Sequence, residues 1–280
     1  MKIRLIAFSC HLVLSAIVVA LVMAFVIGVW YPSPLFYAQN FSRILITLVS
    51  VDLVLGPLLT FLVYNPQKKL FKFNQKKLLK FDLAIIFLIQ ICALSYGIHM
   101  SYISRPVYVV YSAGKFESVG ANEYDRIDLR KVFPDNPYLR LSKKGPVWVG
   151  AIAPETMTLA DKLDLQFSTE YGDGLRMMPH YYVPYEKINA DAIRRGKRAS
   201  DLNLNIKQAI KKSDSSDNKT LPNSVDQIKA VRDWLSHLSI PLEKIVLIPL
   251  KGRDKFAIVA LNADTGIVLD SISQDPWWYQ

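Results

Sequence analysis

Hydrophobic positions follow two regimes along this chain: long uninterrupted blocks up to Ile103, and short alternating or helically spaced sets from Arg105 onward. Leu5 to Trp30 is an uncharged block of 26 residues, relieved only by weakly polar Ser9, His11, Ser15 and Gly28. About 20 apolar residues cross the hydrocarbon of a bilayer, so this block predicts a transmembrane helix. It is also much longer than the roughly 7–15-residue apolar core of a cleaved signal peptide, so an uncleaved span is expected. Ile44 to Tyr64 predicts a second span and Phe81 to Ile103 a third. Trp30, Tyr31, Phe36, Tyr37, Tyr64 and Tyr102 sit near the block ends, where aromatic rings suit the wet-dry boundary of a membrane.

Beyond Arg105 the pattern changes to that of a folded domain with its own core. In "PVYVVYSAGKFESVGA", Val107, Val109 and Tyr111 alternate with Tyr108, Val110 and Ser112 before a turn at Ala113-Gly114, which predicts a hairpin. Near the other end, "KIVLIPL", "KFAIVAL" and "GIVLDSI" read as strands, the last two joined at Asp264-Thr265-Gly266. Pro154 to Tyr171 and Val225 to Leu238 have helical spacing, the latter with a stripe of Val225, Ile228, Val231, Trp234, Leu235 and Leu238. "KKSDSSDNKTLPNS" is a polar connection. The expected architecture is a three-helix transmembrane domain, residues 1–103, followed by an α+β domain, residues 104–280, with helices on one face of an antiparallel sheet.

Charge adds an orientation. Of the net +10, nine basic and two acidic residues fall up to Ile103, against twenty-five and twenty-two beyond it. Lys2 and Arg4 precede the first span, Arg43 alone lies between the first two, and Lys68, Lys69, Lys72, Lys76, Lys77 and Lys80 separate the second from the third. Positive residues stay on the cytoplasmic side, so the N terminus and the loop at 65–80 are expected inside and residues after Ile103 outside, in a bacterial periplasm. The loop interleaves its lysines with Leu70, Phe71, Phe73, Leu78 and Leu79, as suits a segment resting on anionic headgroups. Because the basic excess sits between membrane-like blocks, it argues for lipid contact and against nucleic acid. Cys10 and Cys92 both lie in apolar blocks, so the outer domain is expected to fold without disulfides.

Catalytic chemistry is hard to find. His180 and His237 show no metal-ligand spacing, and His180 is expected to be structural. Ser112-Ala113-Gly114-Lys115 has a Ser-x-x-Lys spacing, but in a hairpin turn rather than on the helix that an acyl-enzyme serine needs. Gly172-Asp173-Gly174 reads as a turn without a phosphate cradle's context, and "RRGKR" as a solvated helix end or a surface for an acidic partner. Trp277, Trp278 and Tyr279 are expected to pack back on the sheet or rest at the membrane surface.

The anomaly is "VDLVLGPLLT", which puts Asp52, Gly56 and Pro57 inside the second block. A carboxyl group near the centre of a membrane helix costs about 2.5–3.5 kcal/mol on insertion scales, so partners are expected within the bundle. At about 1.5 Å rise per residue, Asp52 lies roughly 12 Å below the outer end of its span, level with Ser95 and Tyr96 of the third. Pro57 is expected to bend the helix and Gly56 to admit a close neighbour. Either Asp52 locks the three helices together, or the face made by Asp52, Gly56 and Pro57 is a polar notch that receives a substrate or a partner's helix; a proton relay is the weakest reading, since one acidic residue without a chain of others makes a poor relay.

Several words resemble the type IV pilin accessory proteins of the TfpX/TfpZ kind. They are "YPSPLF", "VDLVLGPLLTFLVYNPQKK", "KFDLAIIFLIQICALSYGIHMSYISRPVYVVYSAGKFESVGANE", "ALNADTG" and "DPWW", covering roughly residues 30 to 125 and the C-terminal hairpin. The resemblance implies a multi-pass protein of the bacterial inner membrane. Its implied role is to assist a cognate major type IV pilin in stability or assembly, without catalysis or cofactors, alongside other inner-membrane pilus assembly proteins. A membrane-bound periplasmic ligand sensor and a pilin-modifying membrane enzyme are the alternatives; the first lacks a cytoplasmic domain and the second lacks clustered acids or histidines.

Overall fold

The apolar blocks become helices in the computed structural model, which describes residues 2–63, 73–124, 131, 133–142, 145–170, 174–202 and 222–276. Lys68, Lys69, Lys72, Gly172, Asp173, Trp277, Trp278, Tyr279 and most of the polar connection at 211–224 lie outside the described residues. For Lys76 and Lys77 only the helical backbone is described, and Lys80 is exposed. The chain divides into two compact units, Met1–Trp30 with Phe41–Arg105, and Tyr31–Asn40 with Pro106–Gln280.

The first unit contains α1 (Lys2–Phe25), which ends in a π-helical turn over Val26–Trp30. Three helical stretches, Lys2–Trp30, Ser42–Val63 and Lys80–Ile103, are long and apolar enough to cross a membrane. A decapeptide carrying the short helix α2 (Leu35–Ala38) belongs to the second unit. The middle stretch consists of α3 (Ser42–Ser50), a π-helical turn over Val51–Leu55, and α4 (Gly56–Val63). Pro57 has no N–H to offer the Leu53 carbonyl. The helix widens one turn ahead of it, and the Gly56 N–H reaches back five residues to the Val51 carbonyl. The third stretch lies within α5 (Phe73–Ile103). The middle helix packs against both α1 and α5, whereas the backbones of α1 and α5 do not pack closely on each other.

The second unit is built on one eight-stranded sheet. Its strands are β1 (Pro106–Ser112), β2 (Lys115–Gly120), β3 (Val147–Ala151), β4 (Tyr182–Pro184), β5 (Lys197–Arg198), β6 (Ile245–Lys251), β7 (Phe256–Asn262) and β8 (Val268–Ile272). They are ordered β4-β3-β1-β2-β6-β7-β8, with β5 pairing β6 off that path. The β1–β2 hairpin turns at Ala113 and Gly114, both with positive φ, and β7–β8 pair antiparallel across Gly266. The sheet is nevertheless mixed rather than antiparallel, because β1 pairs β3 and β2 pairs β6 in parallel. Hairpins fix antiparallel neighbours locally; these two pairings join strands separated by long connections.

Both faces of the sheet are covered, which corrects the expectation of helices on one face. Along β6, Val246, Ile248 and Leu250 pack into a core with Ala192 of α7 (Asn189–Arg195). Their neighbours Ile245 and Leu247 point the other way, to Val231 and Leu235 of α8 (Pro222–His237). This two-sided burial explains why β6 and β7 read as nearly continuous apolar runs. Tyr108, Val110, Val149 and Tyr182 extend the α8 side with an aromatic cluster. The remaining helix, α6 (Leu159–Glu170), is shorter than the Pro154–Tyr171 spacing suggested.

The decapeptide Tyr31–Asn40 completes the other side. Leu35 and Ala38 are fully buried in the core with Val109, Phe116, Leu250 and Ala257. The Ala38 carbonyl accepts from the N–H groups of Asp254 and Lys255 at 3.4 and 3.3 Å. Asn40 Nδ2 donates to Asp254 Oδ2 at 3.0 Å, Gln39 donates to Ser118 Oγ, and the Lys255 ammonium sits 4.4 Å from the centre of the Tyr37 ring. Gly252 makes this approach possible, because a methyl group there would overlap the Ala38 backbone.

Candidate functional site

Polar side chains from all three apolar helices meet in the first unit. His11 Nδ1 is 2.6 Å from Thr60 Oγ1, and His11 Nε2 is 2.9 Å from Gln90 Oε1. Gln90 Nε2 then donates to the backbone carbonyl of Asp52 at 3.4 Å. The arrangement that satisfies every atom has the Thr60 hydroxyl donating to Nδ1 and the Nε2–H donating to Gln90. One chain of hydrogen bonds therefore ties α1, the middle helix and α5 together. Gly56 allows it, since a Cβ at that position would run into the Gln90 amide.

Asp52 takes no part in this chain through its carboxyl group. It is 5% exposed, and neither carboxyl oxygen has a hydrogen-bond partner among the described residues. It lines a cavity of about 110 Å³ whose other polar lining residues are His11, Ser15 and Gln90. The structure thus brings Asp52, Gly56 and Pro57 together as buried residues of one helix and places Gln90 beside them. It does not bring Ser95 or Tyr96 to that cavity. Both are exposed, and Tyr96 lines a separate depression against Thr47 and Val51. His11, Thr60 and Gln90 were missed from the sequence; the available signal was that each interrupts an apolar block with a group able to both donate and accept.

In the second unit, the arrangement closest to catalytic chemistry surrounds Asp161. Its Oδ2 accepts from the hydroxyls of Tyr181 and Thr158, each at 2.7 Å, and its Oδ1 lies 3.3 Å from His180 Nε2. The Tyr181 hydroxyl, and after it Thr158 and His180, hold the Asp161 carboxyl below its usual range. Burial and the bond to Asp161 push Tyr181 up to about 12. The carboxylate lies between the two hydroxyls and the imidazole, whose ring stacks on Phe133. Ser112 and Lys115 face each other across the hairpin, and Lys115 instead pairs with buried Glu117 at 2.9 Å. In the basic run, Arg194 and Arg195 engage Asp191, and Arg198 donates to the Glu243 carbonyl. No cluster of three or more metal-ligating side chains occurs among the described residues.

Residues 1–38 match the model of a family described as fimbrial assembly protein FimB. That segment supplies His11 and Ser15 to the polar cavity and Leu35 and Ala38 to the sheet core. The chain is 37% identical over 101 residues to the fimbrial assembly protein of serogroups C1 and C2 of Dichelobacter nodosus, covering 36% of this chain and 72% of that protein. It is 31% and 30% identical, over 125 residues each, to the serogroup I and E1 fimbrial assembly proteins of the same organism, covering 45% of this chain. The match spans just under half the length of those two relatives, 46% of each. No solved structure matches the chain. With most of the C1 and C2 protein's length matched, and the matched N-terminal segment built into both folded units, the chain belongs to the fimbrial assembly protein family.

Proposed function

We propose that this protein is a non-enzymatic, chaperone-like factor of the bacterial inner membrane that holds a cognate type IV pilin during pilus assembly. Membership of the family supports a role in pilus assembly and in contacts with pilus components. The observation that carries the finer reading is the division of labour among the buried polar groups. His11, Gln90 and Thr60 tie the helices together, which leaves the Asp52 carboxyl without an internal task and available to a partner. In this reading the membrane half meets the pilin's apolar helix and the outer domain meets its head, while the lysine-rich stretch at 65–80, whose residues from Phe73 onward are helical, rests on lipid headgroups.

Packing of Tyr31–Asn40 into the sheet unit supports the three-crossing topology. A segment folded into a domain belongs on that domain's side of a membrane, which supports reading the connection after the first span and the sheet unit as sharing one side. The lysine distribution supports the periplasm as that side.

Deleting the gene and measuring surface pili and pilin abundance, with the cognate and a heterologous pilin, tests the role. Loss of piliation with the cognate pilin alone is the expected result; unchanged piliation with both would remove it. Photocrosslinkers at Leu53 and Leu55, compared with probes on the outer domain, separate the membrane contact from the outer one.

A further inference from the structure

The three apolar helices leave one side of their packing open. The middle helix packs on both α1 and α5, but those two do not close on each other. They are bridged at two levels, by His11 with Gln90 and by Trp30 with Tyr102, whose rings are 5.3 Å apart. At the level of His11 and Gln90 a groove is walled by Leu14 and Val18 on α1 and by Phe87, Ile91 and Leu94 on α5. Leu14 and Phe87 are 62% and 63% exposed on its walls, whereas Asp52 at its floor is 5% exposed with both carboxyl oxygens unpartnered.

We propose that this groove seats one apolar helix of a partner protein, and that the helix brings a hydrogen-bond donor, a hydroxyl, amide or amine, to the carboxyl group of Asp52. Three features select this occupant. The wall residues on each side recur at helical spacing, three or four residues apart, and offer the ridges that a further helix packs between. The cavity at Asp52, about 110 Å³, admits a side chain of a few heavy atoms. Free small-molecule ligands occupy pockets of roughly 300–1,000 Å³. A lipid acyl chain matches the walls and offers nothing to the carboxyl group, whereas a helix side chain does both. The partner's identity as the pilus subunit rests on the reading given above; the groove and its donor do not.

The test uses the full chain in cells that make the cognate pilin. A photocrosslinking residue is placed at Val18 or Phe87 in the groove, with Ile46 and Leu62 as exposed controls elsewhere. The adducts are identified by mass spectrometry. The expected result is an adduct from both groove positions, and from neither control, to the pilin's apolar helix within one turn of a donor residue. Asp52→Leu should lower its yield on the order of tenfold, consistent with loss of one buried interhelical hydrogen bond. Asp52→Asn, which retains an acceptor oxygen, should keep most of it. Thermal proteolysis mapped within the first 103 residues confirms that the helical unit of each variant has folded.

Adducts only to lipid, only to a second copy of this chain, or equally from Asp52→Leu would overturn the proposal. If the deletion strain loses pili while the groove captures no pilin helix, the groove proposal fails and the assembly role stands. If piliation survives deletion but the groove captures the pilin helix dependent on Asp52, the role fails and the groove proposal stands.

Discussion

Gly252→Ala isolates the attachment of Tyr31–Asn40 to the sheet unit. The added methyl would overlap the carbonyl and Cβ of Ala38, most of it backbone that cannot rotate out of the way. The decapeptide must therefore shift. A shift breaks the two hydrogen bonds that Ala38 accepts from Asp254 and Lys255, at about 1 kcal/mol each, and loosens the burial of Leu35, whose full value is about 1.5–3 kcal/mol. With partial relaxation the expected loss is about 2–4 kcal/mol. For a unit of this size that lowers the unfolding temperature by roughly 4–16 °C. Limited proteolysis of the detergent-solubilised full chain across a temperature ramp, with cleavage sites mapped, reads the sheet unit directly. Gly28→Ala is the control, since nothing lies within 4 Å of a Cβ at Gly28. An unchanged unfolding temperature in Gly252→Ala would refute the reasoning, because it would mean that the sheet core does not depend on the decapeptide.

Further expectations concern the helical unit and the sheet unit. His11→Leu removes the bonds to Thr60 and Gln90 and should destabilise the helical unit by about 1–2 kcal/mol, measurable as earlier thermal proteolysis within the first 103 residues. Gly56→Ala should cost less than Gly252→Ala, because it meets only the mobile end of Gln90. Combined with Gln90→Ala its effect should be less than additive in a double-mutant cycle. The sheet unit should lose stability in strong alkali. Tyr108 and Tyr181 are held neutral by burial, with pKa values raised from 10.0 to about 12, so the folded state binds protons that the unfolded state releases. That contribution is complete below pH 10 and disappears as pH rises through about 12; tyrosinate absorbance titrating near 10 in the folded protein would contradict it.

Depth counted from the span ends did not find the side chain beside Asp52: Gln90 lies five residues before Ser95 on α5, about 7.5 Å along the axis at roughly 1.5 Å per residue. Counting residues placed Ser95 and Tyr96 level with Asp52, and Tyr96 does lie beside Val51, yet on a different face. Each residue turns a helix by about 100°, so the side chain that meets Asp52 depends on how α5 is rotated by its packing. Gln90 reaches Asp52 because Gly56 leaves room for it.

What the sequence determined by itself was periodicity: three apolar blocks of spanning length, the β1–β2 and β7–β8 hairpins, the α8 stripe, and a carboxyl group set within an apolar block. These depend on neighbours along the chain. Tertiary structure alone decided that β1 pairs β3 and β2 pairs β6 in parallel, that a decapeptide between two apolar helices belongs to the sheet core, and that His11 and Gln90 tie the helices while the Asp52 carboxyl oxygens have no partner among the described residues. Those outcomes bring together residues from distant parts of the chain. Local pattern states what each segment must bury, but the surface it is buried against is chosen only when all segments pack at once.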